Sequence, residues 1–320
     1  MLAGWLRRWL PVSLLVILTG CATDVRKMLA DLEQQRADVE LIQTPFYPQV
    51  TDQCGPSGLA TILNSSGIAV TPEVLKTRIY IPGRQGSLQL EMLAAARGYG
   101  RMPYLIDQDI GALLGELRGG RPVLVLQNLG SKLVPIWHYA VVVGYLADTK
   151  QFILRSGEQQ RHLTSARKFI RSWRRAGYWG VLALRPGEMP ASPDADKYVR
   201  SVAAFEAIGD IENAVTGYQA ATEQWPEHSL AWLGMGNTHY AKGNLDSAES
   251  AYQRILSIDS DHLVALNNLS QVQIDRGCID DAFVTLGEAL SAAKPETTIY
   301  RTIQEARREI ESLRPSAACL

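Results

Sequence analysis

The clearest pattern of apolar and polar positions lies in the middle of the chain. Apolar runs at 121–127 (RPVLVLQ), 138–146 (HYAVVVGYL), 151–155 (QFILR) and 178–184 (YWGVLAL) are short, β-branched and bounded by turn residues. They predict strands, and Asp148 and Thr149 between the second and third predict a hairpin turn. Ahead of them, residues 54–65, 72–79, 87–98 and 109–118 read as helices, the third with Ser87 as N-cap. The basic stretch 164–175 reads as a further helix. Helices first and an antiparallel sheet after them predict one α+β domain over 41–186.

From residue 195 the pattern changes to a period of 34. Gly209, Gly243 and Gly277 keep that step, as do Ala214, Ala248 and Ala282, the set Tyr218, Tyr252 and Leu286, and the set Tyr198, Trp232 and Leu266. The period and these positions resemble the tetratricopeptide repeat, an all-α solenoid of helix pairs. The small Ala lets paired helices approach, and Gly takes the left-handed turn between them. Three units follow at 195–228, 229–262 and 263–296 after a linker at 187–194, with a capping helix and tail at 297–320. Such an array implies a surface for a peptide or protein partner, with a rigid spacer or a dimerisation face as alternatives.

The N-terminus reads as a targeting segment. Arg7 and Arg8 precede a short apolar run, Leu10 to Leu18, too short to span a membrane. It ends in Leu18-Thr19-Gly20-Cys21, which resembles a bacterial lipobox with Cys21 as the lipidated residue. By resemblance to lipoprotein sorting, Ala22 after the cysteine implies an outer-membrane lipoprotein facing the periplasm rather than inner-membrane anchoring. Residues 22–40 read as a tether or lead-in helix.

Composition adds little beyond exclusions. Net charge is −1 over 320 residues with no long run of one sign, which argues against a nucleic-acid partner. The four cysteines, Cys21, Cys54, Cys278 and Cys319, match no zinc spacing, so neither a metal nor another cofactor is implied. Cys278 and Cys319 read as incidental thiols, a disulfide between them remaining open. Gly83-Arg84-Gln85-Gly86 lacks the ending of a nucleotide loop and reads as a turn.

The chemistry points to Cys54. It opens a predicted helix, directly before Gly55-Pro56-Ser57, where the positive end of the helix dipole favours a thiolate. The alternative is a buried structural cysteine. A base is then needed. His239 and His262 occupy repeat positions with no partner in view, and His228 also lies in the repeats. His162 reads as surface. His138 heads an apolar strand, where a polar ring is either a satisfied core histidine or a base.

Gln49, Cys54-Gly55-Pro56 and Trp137-His138-Tyr139 entering a Val-rich strand together resemble the bacteriocin-processing, double-glycine-leader peptidases of the papain-like clan. The resemblance covers 41–186. It implies a papain-like cysteine peptidase fold, with Cys54 as nucleophile, His138 as base and a glutamine as oxyanion donor. Two departures stand out. Gln49 lies five residues before the cysteine rather than six, with Gln53 an alternative. The Asp that orients the histidine in the family is missing, and Ser156 occupies its place, with Asp148 and Asn128 as other candidates. A membrane-anchored periplasmic peptidase acting on an exported peptide or protein is the first expectation. A non-catalytic peptide-binding domain, a scaffold run by the repeats, and another Cys–His chemistry such as amide hydrolysis in peptidoglycan are the alternatives.

Overall fold

The computed structural model describes residues 24–49, 53–84 and 86–311. The signal segment, Cys21 and Cys319 therefore lie outside the described residues. The chain divides into two compact units, one reaching Arg185 and taking in Pro190–Ser192, the other formed by Pro186–Met189 and everything from Pro193 on.

The first unit begins with α1, over residues 24–33, whose Val25, Met28 and Leu32 are buried one helical turn apart. Strand β1 is Val39–Glu40, followed by helices α2 (Cys54–Ser65) and α3 (Pro72–Ile79). A two-stranded ribbon, β2 (Tyr80–Ile81) and β3 (Gly86–Ser87), leads to α4 (Gln89–Gly98). Then come β4 (Met102–Leu105), α5 (Ile110–Arg118), β5 (Val123–Asn128), β6 (Trp137–Leu146), β7 (Gln151–Ser156), β8 (Gln159–Ser165), α6 (Ala166–Arg175) and β9 (Gly180–Leu184). The strands form one antiparallel sheet in the order β4-β9-β5-β6-β7-β8, with β1 added to β6.

One reading is corrected here and two strands are added. Ser87 belongs to β3, and Leu88 is the N-cap of α4, because the β2–β3 ribbon takes the residue before the helix can start. Residues 159–165, read as polar surface, form β8, an edge strand whose one paired side is enough to order it while its side chains stay mostly exposed. Met102–Leu105 forms β4, whose Met-Pro-Tyr-Leu sequence carries no alternation and is ordered by pairing with β9.

The core between α2 and the sheet is built from Leu59, Ile62 and Leu63 of the helix against Leu124, Tyr139, Val141 and Val181. On the other side Tyr145, Phe152, Phe169 and Trp173 form a chain of ring contacts 4.4–5.7 Å apart that seats α6. Gly144 is required where β1 meets β6, since a Cβ there would stand 2.5 Å from Val39 O. The segment leading to α2 is held by Arg155, which is 3 % exposed. Its guanidinium donates to the carbonyls of Ile42 (3.2 Å), Thr44 (3.1 Å) and Gln160 (2.6 Å).

The second unit is all helix: α7 (Ala195–Glu206), α8 (Ile211–Gln224), α9 (Ser229–Ala241), α10 (Leu245–Ile258), α11 (Leu263–Asp275), α12 (Ile279–Ala292) and α13 (Thr298–Glu311). Gly209, Gly243 and Gly277 turn between paired helices with φ of 76°, 75° and 77°. Ala214, Ala248 and Ala282 are fully buried. His228 and His262, one repeat apart, cap α9 and α11: the Nδ1 of each accepts the backbone N–H of the residue three positions on, Ala231 and Ala265. Cys278 is disulfide-bonded, which overturns its reading as an incidental thiol: the bond is a tertiary fact that a lone cysteine in a repeat does not announce.

Candidate functional site

Helix α2 begins at Cys54 because the next residues suit a helix start. Pro56 falls in the first turn, where its missing N–H leaves nothing unpaired. Gly55 and Gly58 let the helix press onto the sheet. A Cβ at Gly55 would lie 2.7 Å from Ser87 Oγ, and one at Gly58 2.7 Å from Leu124 Cδ1. Cys54 is half-buried, is held in no disulfide and packs on the α2 core cluster that includes Tyr139. It lines a cavity of about 530 Å³ together with Ser87, Leu88, Leu126, Trp137 and Tyr139.

His138 is the second residue of β6, between two residues of that cavity wall. Its Nε2 lies 2.8 Å from Ser156 Oγ at the end of β7. Burial lowers the pKa of the imidazole, and the positive charge of His162 on β8 lowers it further. Ser156 accepts or donates without a charge of its own, so nothing in that contact favours the imidazolium. Nδ1 is left as the ring nitrogen for another partner. Cys54 and His138 thus reach the same end of the domain through α2 and β6, Cys54 sharing its cavity wall with Trp137 and Tyr139, and His138 bonded to Ser156.

Gln49 is clamped between two strands. Its backbone N–H donates to Gly157 O at 2.9 Å, its Oε1 accepts from Gly157 N at 2.9 Å, and its Nε2 donates to Tyr139 O at 3.3 Å. One amide proton remains for a substrate. Gln53 is the N-cap position of α2 and makes no side-chain cap bond.

The other candidates for orienting His138 are committed elsewhere. Asn128 is spent on the loop after β5: its Oδ1 accepts from Gly130 N and Ile136 N, each at 3.0 Å, and its Nδ2 donates to Ser131 O at 3.0 Å. Asp148 is exposed in the β6–β7 turn, at the far end of β6. The eight residues from His138 to Leu146 put it about 26 Å away at the usual rise per residue.

Two wall residues were missed by the sequence reading. Tyr139 donates its hydroxyl to Ser87 O at 3.3 Å, and burial, then the charges of Cys54 and Glu91, push its pKa well up. Ser87 Oγ and Glu91 Oε2 are buried with no hydrogen-bond partner among the described residues. Only the position of Tyr139 directly after His138 could have signalled its place. Among the described residues no group of three or more His, Cys, Asp or Glu side chains could hold a metal ion.

Comparison with known proteins agrees with this division of the chain. The Peptidase C39-like family matches residues 41–181, and the tetratricopeptide repeat family matches residues 202–262. Two curated relatives are peroxisomal targeting signal receptors. That of Yarrowia lipolytica is 29% identical over 112 residues, 35% of this chain and 19% of the relative. That of Pichia angusta is 29% identical over 101 residues, 32% of this chain and 18% of the relative. The matches thus span about a fifth of those receptors' length. Among solved structures, a Bacillus anthracis protein described as a C39-like peptidase aligns at a TM-score of 0.40 with 18% identity, covering 47% of this chain and 98% of its own. The Yersinia enterocolitica type III secretion translocator chaperone SycD aligns at 0.36 with 18% identity, covering 39% of this chain and 90% of its own. An α+β C39-like peptidase domain carrying Cys54 and His138, followed by a run of tetratricopeptide repeats, is what this chain contains.

Proposed function

We propose that this chain is a cysteine peptidase that cleaves an exported peptide or protein, with its repeats recruiting the substrate or a partner. The observation that carries the reading is Cys54 at the head of α2, a thiol held in no disulfide that lines a cavity whose wall includes both strand neighbours of His138. In the proposed reaction the Cys54 Sγ attacks the scissile carbonyl carbon and its proton passes to His138 Nδ1. The imidazolium then protonates the leaving amine as the C–N bond breaks, and water hydrolyses the thioester with His138 as base. The Gln49 side-chain amide and the backbone N–H groups at the start of α2 would donate to the oxyanion.

The anchor and compartment belong to the same proposal: lipidation at Cys21 and an outer-membrane position facing the periplasm. The disulfide at Cys278 supports an oxidising compartment.

A second reading, a domain that holds peptides without cutting them, draws on the uncharged Ser156 beside His138 and on its lowered pKa. Alkylation of Cys54 by iodoacetamide across pH separates the two. A peptidase gives fast alkylation well below the free-thiol value of about 8.5, lost in His138→Ala. It also gives cleavage of a peptide library that Cys54→Ala abolishes. A single titration near the free-thiol value, unchanged in His138→Ala, together with library peptides retained uncut, establishes the binding domain instead.

A further inference from the structure

The loop between β5 and β6 presents a run of large apolar side chains to solvent. Leu133 is 94% exposed, Val134 70%, Ile136 57% and Trp137 54%. It is not loose. Leu129 N donates to Ile136 O (2.8 Å), Ser131 N to Val134 O (3.0 Å) and Val134 N to Ser131 Oγ (2.9 Å), besides the bonds of Asn128. Gly130 is needed for this closure, since a Cβ there would stand 2.3 Å from Val134 O. A braced tip that holds leucine, valine, isoleucine and tryptophan in water is costly unless something covers it.

The helix beside it supplies the second observation. Helix α6 runs from Ala166, whose N–H donates to Lys150 O, to Arg175, whose guanidinium donates to Asn128 O at the base of the tip (2.8 and 3.0 Å). Its inner face, Phe169, Ile170 and Trp173, is buried. Its outer face carries Arg167, Lys168 and Arg171, all exposed, and residues 159–176 contain no acidic residue. Asp148 and Glu158 lie in turns outside this stretch. A cationic helix face ending at an apolar tip with a tryptophan on its border matches the layered chemistry of an anionic bilayer surface: charge at the headgroups, aromatic ring at the interface, aliphatic groups below. Leu133 and Val134 are not among the residues lining the Cys54 cavity, and side chains this exposed suit a deformable lipid layer better than an extended peptide, which needs a groove.

We propose that the peptidase domain lies on an anionic lipid surface through the 129–137 tip and the outer face of α6. Among the described residues no helix is long and apolar enough to cross a membrane. Trp137 also lines the Cys54 cavity, so the contact would bring that cavity to the lipid surface, where peptides emerging from or lying on a membrane are presented. The inference stands apart from any peptidase activity.

The test is vesicle co-sedimentation of the chain from Ala22 onward, which keeps every described residue and carries no signal segment. Vesicles of equal parts phosphatidylglycerol and phosphatidylcholine are compared with phosphatidylcholine alone. Binding to the anionic vesicles only is expected, weakening about fivefold for each basic residue neutralised in Arg167→Gln, Lys168→Gln and Arg171→Gln. Leu133→Ser with Val134→Ser should weaken it at least tenfold. These positions are exposed, and unchanged circular dichroism checks the fold. Equal sedimentation with both vesicles, or anionic binding that survives both sets of substitutions, overturns the proposal. So does loss of peptide binding in the Leu133/Val134 variant without any vesicle effect, which would assign the tip to a peptide.

Discussion

At the scale of single residues, the decisive contact is His138 Nε2 to Ser156 Oγ at 2.8 Å. A hydroxyl holds the ring in place in either tautomer but cannot stabilise the imidazolium as a carboxylate would. Burial already drives the pKa of His138 below its ordinary value, so at neutral pH the ring is uncharged and ready to accept a proton, while the thiolate–imidazolium pair is disfavoured. Ser156→Asp should reverse this. A carboxylate at that distance raises a histidine pKa by roughly 1–3 units, and turnover or Cys54 alkylation near pH 6 should rise about tenfold. Titration of the His138 ring by NMR reads the shift directly. A Ser156→Asp protein whose His138 midpoint does not move would show that position 156 does not control the ring. The contact also shows what a sequence can carry. Ser156 was legible because it stands at a defined place in the family pattern. The commitments of Gln49 to Gly157 and Tyr139 were not, because they join positions 108 and 90 residues apart.

At the scale of elements, the helices of both units were readable where spacing is strict and unreadable where pairing alone makes the structure. Helix α2 coincides with the predicted 54–65, since Cys-Gly-Pro-Ser starts it and the Leu59, Ile62, Leu63 spacing continues it. Strand β8 could not be seen, because Gln159, Gln160 and Arg161 carry no apolar alternation and gain their order from β7. The repeats were legible as a period, but their closest contacts were not. The Tyr218 ring lies against the bare backbone of Gly234, and the Tyr252 ring against Gly236: a Cβ would stand 2.1 Å and 2.4 Å from the nearest ring atoms. Gly236→Ala should therefore destabilise the second unit by about 1–3 kcal/mol despite the better helix propensity of alanine. Urea unfolding followed by circular dichroism measures this, and an unchanged or higher midpoint would mean that the ring moves aside without cost.

At the scale of the whole molecule, histidines set the response to acid. His138, His162 and His239 all have pKa values lowered first by burial, from an ordinary 6.5. The unfolded chain therefore takes up these protons before the folded one as pH falls past 6.5, and stability declines from there toward the lowered folded values. Glu40, held charged by its hydrogen bond from Arg161, acts in the same direction only lower, as pH falls below 4.5 toward its own depressed value. Thermal midpoints should be level above about pH 7 and fall as pH drops below 6.5, with a shallower fall in His138→Gln. A midpoint that rises over that window would contradict the burial of these rings. The Arg155 guanidinium carries a different kind of consequence, one of timing. It grips carbonyls at Ile42 and Thr44, up to 113 residues earlier in the chain. A chain made from its N-terminus exposes Cys54 long before Arg155 exists. Until β7 has emerged, the segment that aims the thiol has no anchor, and the domain stays unfinished throughout the synthesis of about its first four-fifths.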